Sequence, residues 1–180
     1  MFKDGVPHPV IERVTNGARF ITTDHGSIHA KEGYSVSGIF AAVANGTTVN
    51  YAFKTPTVAS GKIVHLKYKQ ISATANKVRV DLYEKPTADP TLGTDLVAYN
   101  RSRYGDDVPS VMQAIKTGMT INTAGAALLE TGQFVSGQSR SLDIEWVLKP
   151  DTWYIRTFTN GTGGAADIDF FEFWHEEELG

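Results

Sequence analysis

Two histidines, His25 and His29, stand four residues apart in HGSIH, the spacing at which a helix would offer both imidazoles to one zinc ion. Gly26 lies between them, no HExxH pattern is present, and the surrounding residues read as extended chain. In a strand, positions four apart share a face but lie about 13 Å from each other, too far to chelate one ion. No metal is expected there. The other groups with chemical potential are equally incomplete. Asp106 and Asp107 fall in a turn, where water keeps both carboxylates ionised. Gly161-Thr162-Gly163-Gly164 has the glycine content of a phosphate cradle, but it lacks the GK[ST] ending and precedes a strand where a P-loop precedes a helix. No GxSxG elbow or other local nucleophile signature occurs. His175-Glu176-Glu177-Glu178 reads as a charged, frayed tail. The residues therefore predict no enzyme, no catalytic group and no cofactor.

The elements that carry these residues are strands. Residues 141–176 hold all three tryptophans, Trp146, Trp153 and Trp174, and read as three successive strands. In the first, Leu142, Ile144, Trp146 and Leu148 alternate with Asp143 and Glu145, the period of two that marks a strand with one buried side. Lys149-Pro150-Asp151 supplies a turn. The second strand, 152–159, is aromatic and β-branched. The third, 168–175, is apolar on both faces, with Phe170 and Trp174 on one and Phe171 and Phe173 on the other. Such a strand is either central in a sandwich or lies at a subunit interface.

Upstream the same period recurs. Residues 33–44 and 47–54 flank Asn45-Gly46, a hairpin signal because both residues tolerate positive φ. Residues 62–73 set Val64, Leu66 and Tyr68 against His65, Lys67 and Lys69, the basic side reading as a solvated face. Residues 77–85 set Val78, Val80 and Leu82 inward, with Arg79 and Asp81 outward. Residues 86–93 are a loop. Arg101 and Arg103, between Tyr99 and Tyr104, have the geometry to stack on a ring or grip a carboxylate. Residues 111–120 fit a strand or a single helical turn, 125–130 fit a short helix, and 133–135 begin another strand.

The total is an all-β chain: an antiparallel β-sandwich, jelly-roll-like, over residues 33–180, with an extended N-terminal arm over residues 1–32 carrying one short strand. At 180 residues this is one domain with a self-sufficient core. Absence of cysteine excludes disulfides and thiol chemistry. A net charge of −3 without a basic block argues against nucleic acid as partner. No apolar run reaches the roughly 20 residues of a membrane span, and the start is unlike a signal peptide, so the expected site of synthesis is a cytoplasm.

Several short motifs, taken in order, carry a family likeness. They are His25-x-x-Ile28-His29-x-Lys31-x-Gly33, Tyr99-Asn100-Arg101, Ser139-Arg140-Ser141 leading to Glu145-Trp146-Val147-Leu148-x-Pro150, Tyr154-x-Arg156 with Asn160-Gly161, and the aromatic strand before Trp174. Over residues 24–176, least so over 106–137, the chain resembles a family of small structural proteins of tailed-bacteriophage virions, most of them head decoration or cement proteins. The resemblance implies a non-catalytic protein on the capsid exterior, made in the host cytoplasm. It further implies binding to the major capsid protein, and homotrimers. Under that reading the interface candidates are Phe20, Ile21, His25 and His29 on the arm, with Phe171 and Phe173 on the last strand. An alternative reading is a carbohydrate-binding module of a phage fibre or tail, with Tyr99, Tyr104 and Trp153 as the glycan-stacking residues.

Overall fold

The computed structural model describes residues 10–14, 17–21, 28, 30–74, 77–134, 140–161 and 163–178. Near the start, β1 (Val10–Val14) and β2 (Gly17–Ile21) pair antiparallel, so the segment expected to hold one strand holds a hairpin. The sandwich follows: β3 (Gly33–Val43), β4 (Thr48–Lys54), a 3-10 turn (Val58–Ser60), β5 (Lys62–Ala73), β6 (Val78–Glu84), β7 (Thr94–Asp95), β8 (Tyr99–Asn100), β9 (Ala114–Thr117), β10 (Ala127–Phe134), β11 (Arg140–Val147), β12 (Trp153–Asn160) and β13 (Ala166–Glu178). One sheet runs β11-β5-β13-β3-β8 and the other β10-β6-β12-β4-β9-β7. Every pairing among these strands is antiparallel. The chain is an antiparallel β-sandwich.

Its core is where the alternation of each strand sends apolar side chains inward from both sheets. Val36, Val64, Leu66, Ile168, Phe170 and Trp174 from one meet Tyr51, Phe53, Val80, Leu82, Tyr154 and Phe158 from the other. Tyr51 and Phe170 stack face to face across the layers, ring centres 4.5 Å apart and planes within 6°. Gly38, the cross-strand partner of Phe170, makes room for this ring: a Cβ there would lie 2.7 Å from Phe170 Cε1.

One ion pair crosses the same core. Arg156 on β12 donates from Nη2 to Glu172 Oε1 on β13 at 2.5 Å, and from Nη1 to Glu130 Oε2 on β10 at 3.2 Å. Burial pushes the Glu172 carboxyl well up and the Arg156 guanidinium down. Each charge is held inside because the other faces it.

Several expectations are corrected. Asn45-Gly46 does not close a hairpin, because β3 and β4 lie in different sheets; the tight turn, with Gly46 at φ +76°, carries the chain across the sandwich. Residues 127–134, partly read as helical, form β10, whose pairing with β6 overrides the helix propensity of Ala-Leu-Leu-Glu. Asp81, expected outward, alternates with the inward Val80 and Leu82 as foreseen but is nonetheless buried, accepting from Arg79 and Tyr83. The basic side of β5 is not a solvated face: His65 and Lys67 are largely covered and paired with Glu145. Nor is 175–178 a frayed tail. It continues β13 through Glu178, with His175 and Glu176 buried.

Candidate protein interface

Large apolar side chains left exposed concentrate on one stretch. Among the described residues, Leu92, Val97, Tyr99, Tyr104 and Val108 all fall within 92–108. This stretch contributes β7 and β8, the edge strands of the two sheets, so it forms a rim along one side of the sandwich. Both edges are only two residues long, which limits their use as templates for further strands.

The rim is exposed in its side chains but pinned through its backbone. Leu96 N–H donates to Ile115 O, and Leu96 and Ala98 pack on the main core. Arg101 N–H donates to Gly33 O at 2.8 Å. Asn100, itself buried, sends its Nδ2 to Lys31 O at 2.7 Å and to Val108 O at 3.3 Å, while its Oδ1 accepts from Ser102 N–H. Lys31 Nζ returns to Asp106 O. The motif pieces Lys31-x-Gly33 and Tyr99-Asn100-Arg101, far apart in sequence, are thus one junction in space.

Beyond the rim, Glu176 fixes the chain again. Its Oε1 accepts from Trp174 Nε1 at 3.0 Å and from Ser110 Oγ at 2.5 Å, and its Oε2 accepts the N–H of Val111 at 3.0 Å. Tyr34 OH donates to Pro109 O nearby. Burial first, then the Glu176 charge, pushes the Tyr34 phenol up to about 12, although its hydrogen bond with Asn100 acts the other way.

The residues singled out from sequence are distributed as follows. Tyr99 and Tyr104 stand on the rim, 59% and 89% exposed. Trp153 does not join them. It lies on the outer face of the six-stranded sheet, half-buried against Ala52, Met119 and Ile155. The three therefore do not form one glycan platform. Phe173 is buried, its ring covered by the Arg101 guanidinium 4.8 Å above it, so it is not offered to a partner. Phe171 is half-buried on the same face. Arg103 takes the other role foreseen for the arginine pair, an exposed ion pair with Asp107. Phe20 and Ile21 pair with Ile11 and Val10 in the hairpin. His25 and His29 lie outside the described residues.

Comparison with family models finds no match for this chain, and comparison with curated proteins finds none either. In the sequence Glu176 reads only as part of a charged tail and Asn100 only as part of a family-like motif; neither reads as a residue that holds a rim. Asn100 follows an aromatic residue in a quoted motif, but nothing in the order of residues announces that Glu176 meets Ser110 and Val111.

A second feature is a groove of about 240 Å³ at the far side, between the 3-10 turn and β11, lined by Pro56, Val58, Ile63, Val147 and Pro150. Its lining is mostly apolar, with Thr55 and Lys62 as the polar members. Among the described residues no helix is long and apolar enough to cross a membrane.

Proposed function

We propose that this chain is a structural protein of a tailed-bacteriophage virion. It decorates or cements the capsid exterior by binding the major capsid protein, and it works as a homotrimer without catalysis. The observation that carries the reading is the rim: five exposed apolar side chains on a backbone already fixed by Asn100, Arg101 and Leu96. A surface that is ordered before contact loses little entropy on binding, so modest contacts repeated across a lattice add up. The strand order supports the finer fold reading. The strands β3-β13-β5-β11 face β4-β12-β6-β10, and nearly every connection between these eight changes sheet, the arrangement of two Greek keys in a jelly roll. Capsid and lectin domains both use that architecture. The family likeness supports the reading too, since two of its motif pieces meet at the base of the rim.

The second reading, a glycan-binding module, draws on Tyr99 and Tyr104 alone. Size-exclusion chromatography with light scattering, run beside a glycan array, separates the two. A trimer silent on the array supports the capsid role. A monomer that binds glycans through Tyr104 sinks it.

A further inference from the structure

On the outer face of the five-stranded sheet lies a cluster of imidazoles and carboxylates that the proposed role does not use. His65 on β5 and His175 on β13 are direct cross-strand partners. Opposed side chains have Cβ atoms about 4.5–5.5 Å apart, and here the rings stack with centres 4.6 Å apart. Glu145 reaches them through an irregularity, since β11 shifts register against β5 between Asp143 and Trp146. Such a bulge re-aims the side chains within it. Glu145 Oε1 lies 2.8 Å from His65 Nδ1, while its Oε2 takes Lys67 Nζ at 2.7 Å. Glu177, two positions after His175 and so on the same face, approaches from the other side. Its Oε1 is 3.1 Å from His175 Nε2 and its Oε2 is 3.4 Å from His65 Nε2.

A second observation points to a ligand. His175 is 0% exposed, yet neither of its ring nitrogens makes a hydrogen bond. Glu177 Oε1 lies 3.1 Å from Nε2 but makes no hydrogen bond with it, so that contact is coulombic. Buried polar atoms are nearly always paired, and an orphan asks for an explanation such as a missing ion.

We propose that His65, His175 and Glu145 bind one first-row transition-metal dication of the Zn²⁺ type, with Glu177 as a neighbouring carboxylate. One donor atom from each of the three lies within 4.8 Å of the others. A tetrahedral site with bonds of about 2.0–2.1 Å needs donors roughly 3.4 Å apart. Ligation therefore requires the two stacked rings to rotate until their lone pairs face a common point. Two imidazoles select zinc-like ions over Mg²⁺ and Ca²⁺, which prefer oxygen cages. Lys67 does not block the site, because it occupies Glu145 Oε2 and leaves Oε1 to the metal. The ion has a route in through the half-exposed Glu145 and Glu177. Bound there, it straps the edge strand β11 to β5 and β13.

The test uses the full chain, stripped with chelator and then titrated with ZnCl₂ by calorimetry and with CoCl₂ by visible absorption. The expected result is one equivalent per chain, the intense absorption of tetrahedral Co²⁺, and a higher melting temperature with zinc. His175→Gln and Glu145→Gln should each weaken zinc binding by at least about 10-fold. Glu145→Gln alters a half-exposed carboxylate, so it keeps the fold and decides the matter if His175→Gln does not fold. Unchanged zinc affinity in Glu145→Gln, or no stoichiometric binding by the parent chain, overturns the proposal.

Discussion

Glu176 Oε2 accepts the backbone N–H of Val111 at 3.0 Å, tying the last strand of the sandwich to the segment that leaves the rim. The same carboxylate holds Ser110 and the Trp174 indole. Glu176→Ala would leave three donors unmet in a buried place. Hydrogen bonds to charged groups contribute about 1.5–3 kcal/mol each when one partner is removed, without simple additivity. The variant should lose about 3 kcal/mol in urea denaturation and show faster amide exchange over 108–112. Exchange unchanged in that segment would show that the rim is held by other contacts.

Arg156 and Glu172 offer a sharper comparison. Arg156→Met takes the cation away from the buried Glu172 carboxylate, and such removal typically costs about 3–5 kcal/mol. Arg156→Met with Glu172→Leu removes both charges at the centre of the core and should recover most of that loss, because apolar replacement of a buried pair is often neutral. Chemical denaturation of both variants checks the difference. Equal losses would mean that the pair itself stabilises the fold.

Gly38→Ala tests the packing of the aromatic stack. The new Cβ meets Phe170 at 2.7 Å, so the ring must leave its place against Tyr51. Overpacking of this kind costs about 1–3 kcal/mol. A matching change in near-ultraviolet circular dichroism should accompany the lost stability.

Alkaline pH acts on two buried phenols. Tyr34 is pushed up to about 12, and Tyr154 higher still, by burial first, with its hydrogen bond to Glu84 adding to the shift and the Lys149 N–H opposing it. An unfolded tyrosine ionises near 10. A folded pKa above the unfolded one gives stability that is complete below pH 10 and lost as pH rises toward 12. The melting temperature should fall over that window, and Tyr34→Phe should flatten part of the slope. Tyrosinate absorbance at those two residues should appear only with unfolding.

Period-two alternation was enough to give β5 its observed bounds and to place Val78, Val80 and Leu82 inward, because each strand buries one face. What alternation misses is how strands meet. Phe173 pairs with Tyr68 but Trp174 pairs with Leu66, so the register skips Lys67. Past that bulge the core-facing residue of β5 is Ile71, which strict alternation from Val64 and Leu66 would turn outward. No local pattern encodes the skip. Asn-Gly reads the same whether a turn joins neighbours or crosses between sheets. The rim residues stood singly in an irregular stretch, where exposed apolar side chains look like ordinary loop. His175 and Glu176 read as tail because their partners, His65, Ser110 and Val111, lie far off in the chain.

The most direct test of the proposed capsid role is co-sedimentation of the purified chain with tailed-phage capsids stripped of their outer decoration. Binding through the rim predicts saturable association, lost in Val97→Asp and Tyr104→Ser. Both are surface changes expected to stay within about 0.5 kcal/mol of the parent stability. A folded parent chain that ignores capsids, or rim variants that bind as well as the parent, would contradict it.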